Sequence, residues 1–357
     1  MTASNSNPSG TPRDHSFRMP AEWAEHATTW IAWPHNSEDW PGKFQTIPWV
    51  YADIVRHLSA VEEVHILVND AAAEKRARNT LARTRANLHR VHFHHWPTNR
   101  VWTRDSGPIF VKNAQGQTAI TNWKFNAWAK YDNWQLDDQV PTHVAGLLQL
   151  PEWAPTVHQH PVVLEGGSID TNGAGVLLTT EECLLSDVQQ RNPGLSRTDL
   201  ESVFRDFLGI EQVIWLNRGI AGDDTHGHVD DITRFVAQNR IITVTETSRD
   251  DENHDPLAEN LDRLRSTRNT DGMPFEIIEL PMPAPVFFHG RRLPASYANF
   301  YIANGLVLVP TFNDPNDRKA LNLLAEIFPD RKVTGIHCGD FIWGLGALHC
   351  MTQQQPV

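Results

Sequence analysis

The sequence predicts an α/β fold in which one strand–helix module recurs, closed into a ring or stacked as a solenoid. Three observations predict it. First, four stretches read as strand pairs around an Asn/Gly turn: "IFVKNAQGQTAIT", "SIDTNGAGVLLTT", "RFVAQNRIITVT" and "FYIANGLVLVPT". Strand-forming residues on both sides of such a turn are the hairpin signal. The turn residues Gly116, Gly173, Asn239 and Gly305 lie 57, 66 and 66 residues apart. Second, helix candidates fall between the hairpins: "TDLESVFRDFLG", "DPLAENLDRLRS" and "DPNDRKALNLLAEIF". The last two open with Asp-Pro, which reads as a cap followed by a first-turn proline. Further strands, "VEEVHILV", "EQVIWLN" and "FEIIELP", bring the unit to hairpin, helix and strand. Third, the polar motifs recur at one place, just before each hairpin: "WTRDSGP", "LEGG", "DDTHGHVDD" and "PASYAN". In a closed ring these positions converge. Cys350, in a strand-like segment after "GIHCGDFIWGLGA", is then a fifth contribution to one site.

Composition narrows the partners. The chain has 357 residues, 43 acidic against 31 basic, for a formal net charge of −12. This argues against nucleic acid and anionic membrane and favours a cationic ligand. Three cysteines in such a chain are not a disulfide framework, and no Cys-x-x-Cys pair suggests zinc. Residues 1–17 are polar, without an apolar core segment, and are expected to be disordered; residues 18–357 are expected to form a single catalytic domain. The expected location is the cytoplasm. The tryptophan-rich stretches "WIAWP" and "WKFNAWAKYDNW" suit an aromatic core and also the wall of a pocket for a cation.

The chemistry begins at "HGHVDD". On a strand, His226, His228 and Asp230 at alternate positions share a face. One reading is a metal site, a second an acid/base histidine beside a cation-binding carboxylate. The acid/base reading ranks higher, because further ligands with matching spacing are missing. A lone histidine here is more often an ordinary polar strand entrance, and a lone Asp105 more often a turn carboxylate. A thiol such as Cys350 near an imidazole is a nucleophile candidate, since the thiolate is the reactive form. Two carboxylates, Asp105 and Asp230, can hold a planar guanidinium from two sides.

Taken together, "RMPAEWAEHATTWIAWPHN", "VWTRDSGP", "LEGGSID", "TEECLL" with "RNPG", "GDDTHGHVDD", "PASYANFYIANG" and "HCMTQQQP" resemble the agmatine deiminase family, a branch of the guanidine-modifying enzymes related to bacterial peptidylarginine deiminase. The resemblance runs from about Arg18 onward. It implies a five-bladed α/β propeller with the site at the ring centre. It implies Cys350 as nucleophile, His228 as acid/base, and Asp105 and Asp230 as guanidinium-binding carboxylates. Asp224 matches an acidic position at the distal end of the substrate, a role its neighbour Asp223 can also fill, and Trp102 matches an aromatic near the guanidinium. Glu165 reads as a supporting or structural partner of the "EGG" turn, and Cys183 and Cys338 as packing residues. Many members carry "GGGNIHC" before the nucleophile, where this chain has "WGLGALHC" and keeps Gly346.

The expected reaction is hydrolysis of agmatine to N-carbamoylputrescine and ammonia through a covalent amidino-thioether on Cys350. No metal or organic cofactor is expected. The expected partners are a small cationic guanidine and, as one option, a second copy of the chain. Alternatives are deimination of free or peptidyl arginine, a metal-dependent amidohydrolase using His226, His228 and Asp230, and a non-catalytic polyamine-binding propeller.

Overall fold

A computed structural model describes residues 9–357. Four sheets share one connectivity, and a fifth extends it by one parallel strand. The strand pair Ile109–Lys112 and Thr118–Thr121 is antiparallel, the chain passes through helix Val140–Leu148, and Glu152–Trp153 returns parallel to the second strand. The pattern repeats with Asp170–Thr171, Val176–Thr180 and Gln212–Leu216, with Thr233–Ala237, Arg240–Thr245 and Glu276–Pro281, and with Tyr301–Ala303, Leu306–Thr311 and Lys332–His337. The fifth sheet takes Gln353–Pro356 from one end of the chain and His26–Ala32, Glu63–Leu67 and Val91–His94 from the other.

The expected hairpins and helices lie at these positions, each for a local reason. Helix Arg197–Leu208 buries Leu200, Val203, Phe204 and Leu208, one stripe at helical spacing. Each such side chain contributes roughly 1.5–3 kcal/mol. Ser196 and Asp199 close the helix start as a capping box, and Gly209 ends it at φ 69°. A Cβ at Gly209 would sit 2.7 Å from that of Arg18, so glycine is required twice over. Helix Pro315–Ile327 opens on Asp314 as expected, its carboxylate accepting from Asn316 N. The other Asp-Pro helix differs: it spans His254–Ser266, so Asp255 lies inside its first turn and Asn253 takes the cap position.

Two further expectations need correction. Of the segment 1–17, residues 1–8 lie outside the described residues, but Pro12–His15 form a 3₁₀ turn and Phe17 is buried against Trp153. Cys350 is not on a strand. It sits in the turn before Gln353–Pro356, whose pairing with His26–Ala32 ties down a chain end that would otherwise fray. Among the described residues no helix is long and apolar enough to cross a membrane.

Candidate active site

Each antiparallel pair is entered through a short non-strand segment, and these segments carry the site. Asp105 precedes the pair starting at Ile109, Glu165 that at Asp170, Asp230 that at Thr233 and Asn299 that at Tyr301, while Cys350 precedes Gln353. Their side chains meet in one cluster. Asp230 lies 3.6 Å from Cys350 Sγ, and Asn299 donates to that sulfur at 3.0 Å. His228 Nδ1 stands 3.7 Å from Asp105 and 4.0 Å from Asp230, and its Nε2 3.8 Å from Glu165. All are buried.

Packing this tight needs glycine. Gly167 threads between the groups: a Cβ there would lie 2.6 Å from His228 Nδ1 and 2.8 Å from Asp105 Oδ1. Its N–H donates to Asp105 at 3.1 Å. This is why "LEGG" cannot carry a larger residue at that point. Gly346, kept where the chain departs from "GGGNIHC", lies under Trp102, with a hypothetical Cβ 2.7 Å from the indole.

Asp105 and Cys350 of this cluster line a cleft of about 420 Å³, together with Trp102, Trp128, Tyr131 and Asp224, among others. Next to them, four fully buried atoms lack hydrogen-bond partners: both His228 ring nitrogens, Asp230 Oδ1 and Glu165 Oε2. Buried polar atoms left so are costly unless a ligand completes them. The open carboxylate oxygen asks for a donor, as a guanidinium supplies.

Electrostatics follow from burial and sign. Burial, then Asp230, Asp231 and Asp105, push the Cys350 thiol well above its ordinary range. Burial would depress His228, but Asp105, with Cys183 and Glu165, outweighs it and holds the ring protonated. Burial alone would raise Glu165; Arg191, hydrogen-bonded to it at 3.1 Å, and then His228 bring it down to about 2. Asp105 is raised to about 6 by burial, partly offset by His228. A carboxylate that must be ionised to hold a cation then loses charge below that pH. kcat/KM is therefore expected to fall, by up to about tenfold per unit, as pH drops below about 6. A profile flat down to pH 5 would count against Asp105.

Sequence reasoning missed two neighbours of this cluster. His349 places Nδ1 against Asp230 and Nε2 against Glu22, each at 2.7 Å, and Glu22 also pairs with Arg104 and Arg234. The adjacency "HC" was the available signal. Trp128 donates its indole N–H to Asp105 at 2.9 Å. It does so from a turn in which Ala127, Trp128 and Ala129 all have left-handed φ, 51°, 60° and 53°. Such angles cost non-glycine residues about 1–2 kcal/mol each. Ala129 is exposed. Ala129→Gly is therefore expected to stabilise the protein by about 0.5–1 kcal/mol in urea unfolding; a loss of stability would contradict the strain.

Three expectations change. His226, at φ 65°, turns away from His228 to Ser186 and Glu182, so the His-x-His-x-Asp set does not share a strand face. Among the described residues the buried ligand clusters are Glu165 with Cys183 and His228, and Asp230 with Asp231 and Cys350; His226 is in neither. Cys183 thus packs beside the imidazole as well as in the core. Asp223 spends its carboxylate on its own turn, accepting from the backbone of Thr225 and Gly227. Asp224 lines the cleft but is already engaged by Lys130 and Arg291, each at 2.7 Å, and by Tyr131 at 2.6 Å.

The comparisons agree with one another. An agmatine deiminase of Pseudomonas syringae pv. tomato is 35% identical over 380 residues, covering 100% of this chain and 99% of that protein. A solved agmatine deiminase of Enterococcus faecalis superposes with a TM-score of 0.89 at 29% identity, covering 97% of this chain and 98% of the other. A C. jejuni agmatine deiminase solved with substrate bound gives 0.83 at 30% identity, covering 95% and 96%. The family model for Porphyromonas-type peptidyl-arginine deiminase matches residues 18–356, and the chain belongs to that family.

Proposed function

We propose that this chain is an agmatine deiminase: agmatine and water give N-carbamoylputrescine and ammonia. The observation that carries the reading is the unpartnered Asp230 Oδ1 and the unpartnered His228 ring buried next to the Cys350 thiol, which lines an aromatic-walled cleft. A cationic guanidinium completes the carboxylates and brings its carbon to the sulfur.

In this reading Asp105 and Asp230 grip the guanidinium, and Trp102 covers it. Before substrate binds the thiol stays protonated, because burial and three carboxylates oppose a further anion. The substrate's positive charge offsets those carboxylates and lets the thiol ionise, its proton passing to solvent in the cleft that Cys350 lines. The thiolate attacks the central carbon, forming a C–S bond. His228, protonated at the start, gives its proton to the departing nitrogen; the C–N bond breaks and ammonia leaves. Neutral His228 then takes a proton from water, which adds to the amidino-thioether carbon; the C–S bond breaks to return the thiolate and the ureido product, and the remaining hydroxyl proton leaves with the released ammonia as ammonium. Glu165, fixed by Arg191, faces His228 Nε2 and favours its cationic form.

We further propose that residues 18–357 form one catalytic domain, a five-bladed propeller. Four three-stranded sheets of the same connectivity and a fifth that extends it by one parallel strand support this, as does the pairing of the C-terminal strand into the N-terminal sheet. Lys130 and Arg291 favour a second reading, in which the distal group is the carboxylate of arginine; both, however, are already paired with Asp224. Assaying ureido product from agmatine, free arginine and an arginine peptide decides between them. Higher kcat/KM for agmatine is expected, and a preference for either arginine substrate would overturn the assignment.

A further inference from the structure

The distal end of the cleft holds an arrangement that the reaction does not use. Asp224 is one of the carboxylates lining the cleft and is the one matched to a substrate's ammonium, yet its Oδ1 already receives both Lys130 Nζ and Arg291 Nη2. Tyr131 donates to its other oxygen. Burial would raise this carboxyl; the hydrogen bonds from Lys130, Tyr131 and Arg291 override it and hold it below its ordinary value.

Arg291 reaches the site from a small hairpin, Phe287–Phe288 paired with Arg291–Arg292. His289 and Gly290 at its tip have φ 49° and 75°, as a tight two-residue turn requires. Successive strand side chains point to opposite faces. Arg292 is accordingly anchored on Asp251 at 2.8 and 3.0 Å and is only 12% exposed in its side chain, while Arg291 extends over the cleft and is 46% exposed. One cation of the hairpin is packed against the protein and its neighbour lies over the cleft.

We propose that Arg291 is a displaceable internal cation that occupies the place of the substrate's distal ammonium and so sets specificity at Asp224. This rests on the reading that the substrate carries a cationic tail. An incoming ammonium must exchange with the guanidinium, so occupancy by Arg291 weakens binding of every cationic tail and leaves uncharged tails unaffected. The guanidinium of this pair is half exposed although Asp224 is buried, so the exchange trades one screened cation for another.

Calorimetry on the Cys350→Ser protein, with and without Arg291→Ala, tests this with two ligands: agmatine, and n-butylguanidine, which has the same chain without the ammonium. Agmatine is expected to bind about three- to fivefold tighter without Arg291. The Kd for n-butylguanidine should not change, and Arg291→Lys should restore the agmatine value. Equal tightening of both ligands would make Arg291 a steric plug, and unchanged or weaker agmatine binding would make it a support for Asp224; either overturns the inference alone. Agmatine failing to bind with and without Arg291, while n-butylguanidine binds, would overturn the cationic-tail reading and the inference with it.

Discussion

Replacing Cys350 with serine is expected to lower turnover by about 10⁴-fold or more while leaving the fold intact. A hydroxyl occupies nearly the same volume and can still accept from Asn299, so packing is kept. What is lost is the nucleophile: a serine beside Asp230 and Asp231 has no base placed to ionise it, and the cationic substrate cannot lower its pKa far enough. The matched measurement is alkylation. Cys183 and Cys338 are fully buried, so iodoacetamide should label native protein once, at Cys350, and agmatine should protect. The rate should be slow near neutral pH and still rising above pH 9, because the thiol without substrate is held above its ordinary range. Near-normal turnover in Cys350→Ser would remove the covalent mechanism, and an alkylation rate that levels off below pH 8 would remove the protonated resting thiol.

The second large effect is at His228. His228→Gln is expected to reduce kcat by about 10²–10⁴-fold, the usual contribution of a placed acid/base group. Glutamine keeps much of the ring's volume and its polarity but cannot give or take the proton. The ring is fully buried with both nitrogens unpartnered, so no protein hydrogen bond is broken by the change. Far-ultraviolet spectra and the single alkylation of Cys350 should therefore persist. A loss smaller than tenfold would show that another group, or water, moves the proton.

The repeated module was legible because its signals are local. Turn chemistry at Gly116, Gly173 and Gly305 and the stripe of Leu200, Val203, Phe204 and Leu208 each act within a few residues of the chain. The place of the polar motifs was legible for the same reason, since each lies just ahead of a hairpin that can be read directly. Matching several motifs at once then pointed to Cys350, His228, Asp105 and Asp230, which do come together in one buried cluster reaching the cleft through Asp105 and Cys350.

Orientation was not legible. His226 and His228 look alike in "HGHVDD", but one left-handed φ turns the first to Ser186 and leaves the second beside Asp105. Asp223 and Asp224 are neighbours, yet one carboxylate serves its own turn and the other faces the cleft. Partners far apart in sequence were equally hidden. Glu22 and His349 are 327 positions apart, and Arg291 is 67 from Asp224. The sequence by itself thus determined the modules, their order and the residue types available for chemistry, because secondary structure and turns respond to neighbours. Only the tertiary structure decided which of those side chains meet, which are already neutralised and which are left unpartnered, because desolvation and ion pairing depend on everything within a few ångströms, whatever its distance along the chain.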